Sequence, residues 1–302
     1  MIIPCFRTSI IVEKLICEIN DQLTNLNSNV EIILVCDEDR PETVSLLHEI
    51  RSRVKNVEIV ELSKNFGQAS SIYAGILNST GDFIFTMDDD FQHDPKYLNS
   101  MIHAMDNLTD LVYAVDVSRQ DTKFRNLSSL IYKDFILKKL GLKNSSYFSA
   151  FRLIRRSAIA TTIEKSQTEF IDLVAHWSTN RVKTVEVINR KRLEGKSGYN
   201  ISSLTKLGFR IVLTYSDYLL RVIVRIGVAV FGLSVLFSIW ILHRYIIGEI
   251  SPTGFTTIVI LISFYSSLQI IFLGIIARYI GTLFEKSLGK PKFIVRNSTL
   301  KK

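Results

Sequence analysis

A chain of 302 residues can hold one large domain or two smaller ones, and a formal net charge of +8 would suit a nucleic-acid partner if it were spread along one face. The basic residues instead gather beside two apolar runs near the C-terminus, so no nucleic-acid partner is expected. The three cysteines (Cys5, Cys17, Cys36) have no CxxC spacing and the five histidines no metal-ligand spacing, which excludes a disulfide framework and a zinc finger and fits a reducing compartment.

Over residues 1–200, short β-rich runs alternate with helical stretches. Strands are expected at Met1–Cys5, Glu31–Cys36, Val57–Leu62, Phe83–Met87 and Leu111–Val115. Helices are expected at Ser9–Leu26, Pro41–Val54, Gln68–Leu77, Pro95–Met105 and Phe124–Leu140. This alternation predicts a parallel sheet with helices on both faces, whose ligand lies beyond the carboxyl ends of the strands. Arg7, Asp37-Glu38-Asp39, Asn65 and Asp88-Asp89-Asp90 follow successive strands, so all are expected on one edge. After residue 140 the pattern gives a strand at Phe148–Ile154, a helix at Glu169–Ser178 and a strand at Lys183–Ile188. Asn189–Asn200 then reads as a basic, Gly-containing loop, either a lid over a bound ligand or a solvated linker.

The acidic segment runs Thr86-Met87-Asp88-Asp89-Asp90-Phe91-Gln92-His93-Asp94-Pro95. Carboxylates two residues apart in a turn can converge on one hard divalent cation, and Gln92 adds a neutral oxygen. Mg²⁺ or Mn²⁺ held there would neutralise a departing nucleotide diphosphate. The alternative is a solvated acidic turn whose Asp94 caps the helix opened by Pro95.

Residues 201–221 carry Leu204, Leu207, Ile211, Tyr215 and Tyr218 at helical spacing, with Lys206, Arg210, Asp217 and Arg221 opposite. Such a helix can lie in a membrane interface or face a protein core. From Ile226 to Leu242 there are 17 residues without a charged side chain, and from Ile250 to Ala277 another 28. A span needs about 20 apolar residues, so two transmembrane helices are expected, about 222–243 and 254–277, rather than a buried helical hairpin. Lys206, Arg210, Arg221 and Arg225 precede the first run; Arg278, Lys286, Lys290, Lys292 and Arg296 follow the second. The positive-inside rule then puts both termini in the cytoplasm and the loop outside.

Five segments carry a resemblance: Ile3-Pro4-Cys5-Phe6; Val35-Cys36-Asp37; Asn65-Phe66-Gly67-Gln68 through Ala74-Gly75; the acidic segment; and Arg192-Leu193-Glu194-Gly195-Lys196-Ser197-Gly198-Tyr199. With the tail Gly289-Lys290-Pro291-Lys292-Phe293-Ile294-Val295, the chain resembles family 2 glycosyltransferases of the nucleotide-diphospho-sugar transferase (GT-A) fold. It is similar in particular to their polyprenyl-phosphate branch, the dolichyl-phosphate mannose synthases and undecaprenyl-phosphate glucosyl- and aminoarabinosyltransferases. The resemblance implies an α/β, Rossmann-like GT-A domain over 1–200, an interfacial helix over 201–221, two transmembrane helices within 222–277 and a cytoplasmic tail over 278–302.

It implies roles as well. Asp88, Asp90 and Gln92 match the metal and diphosphate site, and Arg192 the loop arginine that reaches the diphosphate. Pro4, Asp37 and Asn65, with Asp88, are expected beside the nucleotide. Arg119 and Arg125, with Lys196, Ser197 and Tyr199, are expected around the acceptor phosphate. Two positions depart from the family: Arg7 follows Phe6, and Cys36 precedes Asp37. The implied reaction is inverting transfer of a sugar, glucose or a related hexose, from a UDP-sugar to undecaprenyl or another polyprenyl phosphate in the inner membrane, for cell-surface glycans. The implied partners are the nucleotide-diphosphate sugar, the lipid phosphate and the bilayer, and a homo-oligomer is compatible with the sequence. The rival readings are a family 2 enzyme with another lipid-linked glycan acceptor and a non-catalytic two-span accessory subunit. The Gln-x-x-Arg-Trp sequence of processive synthases is absent.

Overall fold

The structure is a computed structural model that describes residues 1–24, 29–38, 40–117, 148–166, 168, 170–190, 218–248, 254–289 and 291–300. These residues divide into two compact units, one holding 1–117, 148–190 and 291–300, the other 218–248 and 254–289.

The first unit is built on an eight-stranded sheet. In chain order its elements are β1 (Ile2–Cys5), α1 (Ile11–Thr24), β2 (Ile32–Cys36), α2 (Pro41–Arg53), β3 (Val57–Leu62), α3 (Gln68–Asn78), β4 (Phe83–Thr86), a 3₁₀ turn (Pro95–Tyr97) and α4 (Leu98–Ala104). They continue with β5 (Leu111–Asp116), β6 (Arg152–Arg155), α5 (Arg156–Lys165), α6 (Ile171–Ser178), β7 (Val182–Val187) and, far along the chain, β8 (Val295–Ser298). Runs such as Ile32-Ile33-Leu34-Val35-Cys36 are apolar at every position because the sheet is covered on both faces. Successive residues alternate between two cores. Ile3 and Leu34 pack with Val12, Leu15, Ile16 and Ile19 of α1 and Leu47 of α2. Ile2 and Ile33 pack with Ile72 and Ile76 of α3, Ile159 of α5 and Val174 of α6. The α1 residues recur at helical spacing, which is why that segment is a helix, and each such burial contributes roughly 1.5–3 kcal/mol.

The strand order is β7-β5-β6-β4-β1-β2-β3-β8. Strands β4, β1, β2 and β3 run parallel, as do β5 and β7. The sheet is nevertheless mixed, which corrects the expectation of a parallel one. Strand β6 runs antiparallel between β4 and β5, and β8 antiparallel along β3. Residues 124–140, expected to be helical, lie outside the described residues.

Helix α3 lies close against β1 and β2, and Gly75 permits it. A Cβ there would stand 2.4 Å from Ile2 Cγ2 and 3.1 Å from Val35 Cγ2.

The second unit holds α7 (Tyr218–Ile246) and α8 (Phe255–Ser287), of 29 and 33 residues. At 1.5 Å per residue both exceed the ~30 Å apolar thickness of a bilayer. Large apolar side chains stand exposed on both, among them Val228, Leu233, Leu236, Ile262, Phe264 and Ile270, so a hairpin packed into a protein core is not what is seen. Among the described residues one helix, α8, is long and apolar enough to cross a membrane, over Phe264–Gly281; the apolar run of α7, Ile223–Phe237, is shorter. Helix α8 continues past residue 277, and residues 295–298 of the expected tail are the sheet strand β8. Of the expected interfacial helix, residues 201–217 lie outside the described residues, and Tyr218 already belongs to α7.

Candidate active site

Because β1 to β4 are parallel, the residues that follow them emerge at one edge. The sheet reverses its order at β1, between β4 and β2, which is where ligands of open α/β sheets bind. Pro4 marks the place. Carbonyls of Met1 and Cys5 accept from β2, at Ile33 and Asp37, whereas that of Ile2 accepts from Met87 beyond β4. The polar groups of Pro4 therefore face β4, and proline has no N–H to offer. The β1–β4 ladder ends at the single pair Ile2–Thr86.

Asp37 follows β2 and is buried. Its Oδ1 accepts the Phe66 N–H at 2.7 Å and its Oδ2 the Gly67 N–H at 2.8 Å. Burial raises its pKa, against the lowering effect of those two bonds. Gly67, at φ 94°, provides the left-handed turn that opens α3, and Asn65 beside it is exposed. The neighbouring Glu38 accepts the Arg7 N–H and the Thr43 hydroxyl, each at 2.7 Å. Those contacts hold Arg7 in a left-handed conformation at φ 52°.

The acidic turn follows β4 and is held from three sides. Asp88 Oδ1 accepts from Gln68 Nε2 of α3 at 2.5 Å. Asp89 turns inward and accepts from the Thr8 hydroxyl of the β1 loop. Burial pushes Asp89 up to about 6, with Asp88 and Asp90 adding to the rise and Thr8 opposing it. Asp90 Oδ1 accepts the Gln92 N–H at 3.1 Å, a local Asx turn. Between them Phe91 is buried at φ 62°, a left-handed conformation that costs a bulky residue about 1–3 kcal/mol. The third side is Arg190, just after β7, whose guanidinium lies 4.8 Å from the centre of the Phe91 ring.

Asp94 does cap the following turn, accepting the Lys96 N–H at 3.1 Å. Burial would raise it, yet Lys96 and Arg190 hold it below the usual carboxylate range. The capping alternative thus holds for Asp94, while Asp88 and Asp90 bond to Gln68 and to the Gln92 N–H. Beneath the turn a buried Arg152 donates through Nε to Thr86 Oγ1 at 2.9 Å and pairs through Nη1 with Asp172. Tyr113 donates its hydroxyl to the same Asp172 oxygen at 2.7 Å. The Asp172 charge holds Arg152 protonated against the cost of its burial.

The structure therefore brings Asp88, Asp90 and Gln92 into one turn, with Pro4 and Asp37 on the adjoining strands. Arg119, Arg125, Arg192, Lys196, Ser197 and Tyr199 lie outside the described residues. Sequence reasoning missed Thr8, Gln68, Arg152 and Arg190 as parts of the site. Gln68 was within a quoted motif and Arg190 within the basic loop Asn189–Asn200, the two signals available. Asp88, Asp90 and Gln92 offer hard oxygen donors, two carboxylates and an amide. Among the described residues no three His, Cys, Asp or Glu side chains surround a common point. This set fits a small divalent ion that completes its shell with phosphate oxygens rather than a closed protein cage.

Comparison with known proteins agrees with this architecture. The chain is 27% identical over 308 residues to an undecaprenyl-phosphate 4-deoxy-4-formamido-L-arabinose transferase of Aeromonas hydrophila, covering 99% of this chain and 94% of the relative. To the protein of that name from Edwardsiella ictaluri it is 26% identical, covering 98% and 93%. Among solved structures it is similar to glucosyl-3-phosphoglycerate synthase from Mycobacterium tuberculosis in complex with Mn²⁺, uridine-diphosphate and phosphoglyceric acid. That likeness has a TM-score of 0.50 at 12% identity, covers 70% of this chain and 75% of the other, and concerns the fold. The model of the family described as "Glycosyl transferase family 2" matches residues 1–162, more than half the chain. With the GT-A-like mixed sheet and the acidic turn at its switch point, the protein belongs to the family 2 glycosyltransferases.

Proposed function

We propose that this enzyme transfers a sugar from a nucleotide diphosphate to a polyprenyl phosphate at a membrane surface. The observation that carries the reading is the acidic turn at the sheet's switch point, where Asp88 bonds to Gln68, Asp89 to Thr8 and Phe91 lies under Arg190, with Asp90 and Gln92 between and beside them. Asp88, Asp90 and Gln92 would hold Mg²⁺ or Mn²⁺, which when bound supplies positive charge to the leaving diphosphate. Asp37 and Pro4 border the place where the nucleotide would lie. Arg192, Arg119 and Arg125, with Lys196, Ser197 and Tyr199, would supply charge-assisted contacts to the diphosphate and the acceptor phosphate. A phosphate monoester has its second pKa near ~6, so the acceptor is already a dianion at neutral pH. The chain then needs to orient the acceptor and stabilise the departing charge, and it needs no strong general base. Direct displacement inverts the anomeric centre.

Two observations support a lipid-phosphate acceptor at a membrane. The relatives, which this chain matches over nearly their whole length, are named as undecaprenyl-phosphate transferases. The chain also leaves the sheet after β7 and returns to it at β8, with the exposed apolar helices between. Both ends of that segment thus stand on one side of any bilayer it enters, which supports an even number of crossings. In this reading α7 and α8 form two spans, with the sheet and both termini in the cytoplasm.

The donor in this reading is a UDP-linked hexose such as glucose, and the relatives' names place a formamido-arabinose beside it as a candidate. Membranes containing the protein are incubated with undecaprenyl phosphate and a panel of labelled UDP- and GDP-sugars. A labelled product extractable into organic solvent is expected. Label appearing only on a pre-formed lipid-linked glycan would move the acceptor elsewhere in the family's chemistry, and no transfer from any donor would overturn the reading.

A further inference from the structure

Four contacts join one residue to the acidic turn and its surroundings. The Arg190 N–H donates to the Gln92 carbonyl at 2.8 Å. Its Nη2 reaches Asp94 Oδ1 at 2.9 Å and its Nη1 reaches Glu18 Oε2 of α1 at 2.7 Å. Its guanidinium covers one side of the Phe91 ring, and Lys14 Nζ stands 5.4 Å from the centre of the same ring. Glu18, Asp94 and Gln92 are far from Arg190 in sequence, so the residue ties the exit of β7 to α1 and to both ends of the segment 91–94.

We propose that Arg190 is a positioning residue for the donor site: it holds Phe91 in its left-handed backbone conformation and so sets the direction of Asp88, Asp90 and Gln92. The inference rests on the reading that these three residues receive the metal and diphosphate. Arg190 bonds through its side chain to Glu18 and Asp94 and through its N–H to the Gln92 carbonyl. Its planar fork is occupied by Glu18 and Asp94 while its face lies on Phe91, a combination that lysine cannot reproduce. Phe91 gains nothing locally from φ 62°, so its conformation depends on packing from outside the turn. Arg190 supplies that packing, and the Arg190 N–H fixes the peptide that follows.

The test compares wild type, Arg190→Lys and Arg190→Ala as the full chain in detergent. Hydrogen exchange of the amides of residues 88–94 is measured without ligand, and Mn²⁺ binding is titrated in the presence of UDP. In Arg190→Ala the turn amides are expected to exchange at least ~10-fold faster while those of β1, β2 and β3 are unchanged. The Mn²⁺ midpoint should rise about 10- to 100-fold, the range seen when a residue that orients metal ligands is removed. Arg190→Lys should fall between. Unchanged exchange in the turn would overturn the proposal, and so would equal acceleration across the whole sheet, which marks a merely structural role. If wild type binds no Mn²⁺ with UDP, the donor reading falls, and the exchange arm still decides whether Arg190 holds the turn.

Discussion

Asp37 and Gly67 are joined across the ligand edge of the sheet, the Asp37 Oδ2 accepting the Gly67 N–H at 2.8 Å while Oδ1 accepts that of Phe66 at 2.7 Å. A residue expected beside the nucleotide thus also fixes the turn from which α3, and with it Gln68, begins. Asp37→Ala leaves two backbone donors without their acceptor and should cost about 1–3 kcal/mol. Asp37→Asn should be nearly as costly, because its NH₂ would meet one of those N–H groups. Urea unfolding measures both, and an Asn variant as stable as wild type would contradict the arrangement.

The acidic turn makes a separate prediction. Asp90→Asn keeps an acceptor for the Gln92 N–H, so the fold should be retained, but it removes a charge from the hard-oxygen set. Transfer should fall to background while thermal unfolding stays within a degree or two of wild type. Chelation by EDTA should abolish transfer, and added Mg²⁺ or Mn²⁺ should restore it. Full activity in EDTA would remove the metal from the reading.

Gly75 tests the packing under the site. A methyl added at 2.4 Å from Ile2 Cγ2 forces α3 and β1 apart, and Gly75→Ala should lose about 1–3 kcal/mol. Shortening the opposing side chain in Gly75→Ala/Ile2→Ala should recover part of the loss from overpacking. Additive losses in the two variants, by chemical denaturation, would show that the two sites do not touch.

Two carboxylates away from the site set an acid limit. Glu31 accepts the Thr80 N–H at 2.6 Å and the Gly81 N–H at 3.0 Å; burial opposes its ionisation, but these bonds and the Met1 ammonium hold it below its usual range. Asp106, bound to Lys183 at 2.7 Å and to Thr109 at 2.6 Å, is held at about 2. Both are depressed on folding, so their stabilisation is present above the unfolded carboxylate range and is lost as pH falls from about 4 towards 2. Asp106 is exposed, so its share is the smaller. The urea midpoint of Glu31→Gln should fall less steeply than that of wild type as pH drops. Parallel curves would mean that Glu31 is not the group titrating.

For the membrane segment, a reporter fused after Lys302 should read cytoplasmic and one inserted at Glu249 external. Both on one side would mean that α7 and α8 do not both cross, and the segment would have to enter and leave the bilayer from the same face.

Strands β1 to β5 were legible because each is a short run rich in aliphatic, β-branched or aromatic residues closed by polar or turn residues. Their shared direction made the ligand edge legible too, and Asp88 and Asp90 stood out as carboxylates directly beyond a buried strand. The antiparallel course of β6 was not legible, since orientation is set by the partners, β4 and β5, rather than by its own residues. Helix α5 gives little periodic signal, with only Ile159 and Ile163 buried. Strand β8, Val295-Arg296-Asn297-Ser298, carries no apolar alternation, and its place comes from backbone pairing to β3. Arg190 was hidden for a related reason. Its partners Glu18 and Asp94 lie 172 and 96 residues away, a distance that no local pattern reports.

The return of the chain at β8 also dictates an order of events during synthesis. Residues 295–298 leave the ribosome only after both long apolar helices have been made, so until then β3 is an edge strand with open hydrogen-bonding groups. An exposed edge is a template for pairing with other chains. The last of these strands to be made is therefore the one that covers β3, and a nascent chain stalled within α8 exposes the six-residue, largely apolar β3 where the finished sheet ends in the short polar strand β8.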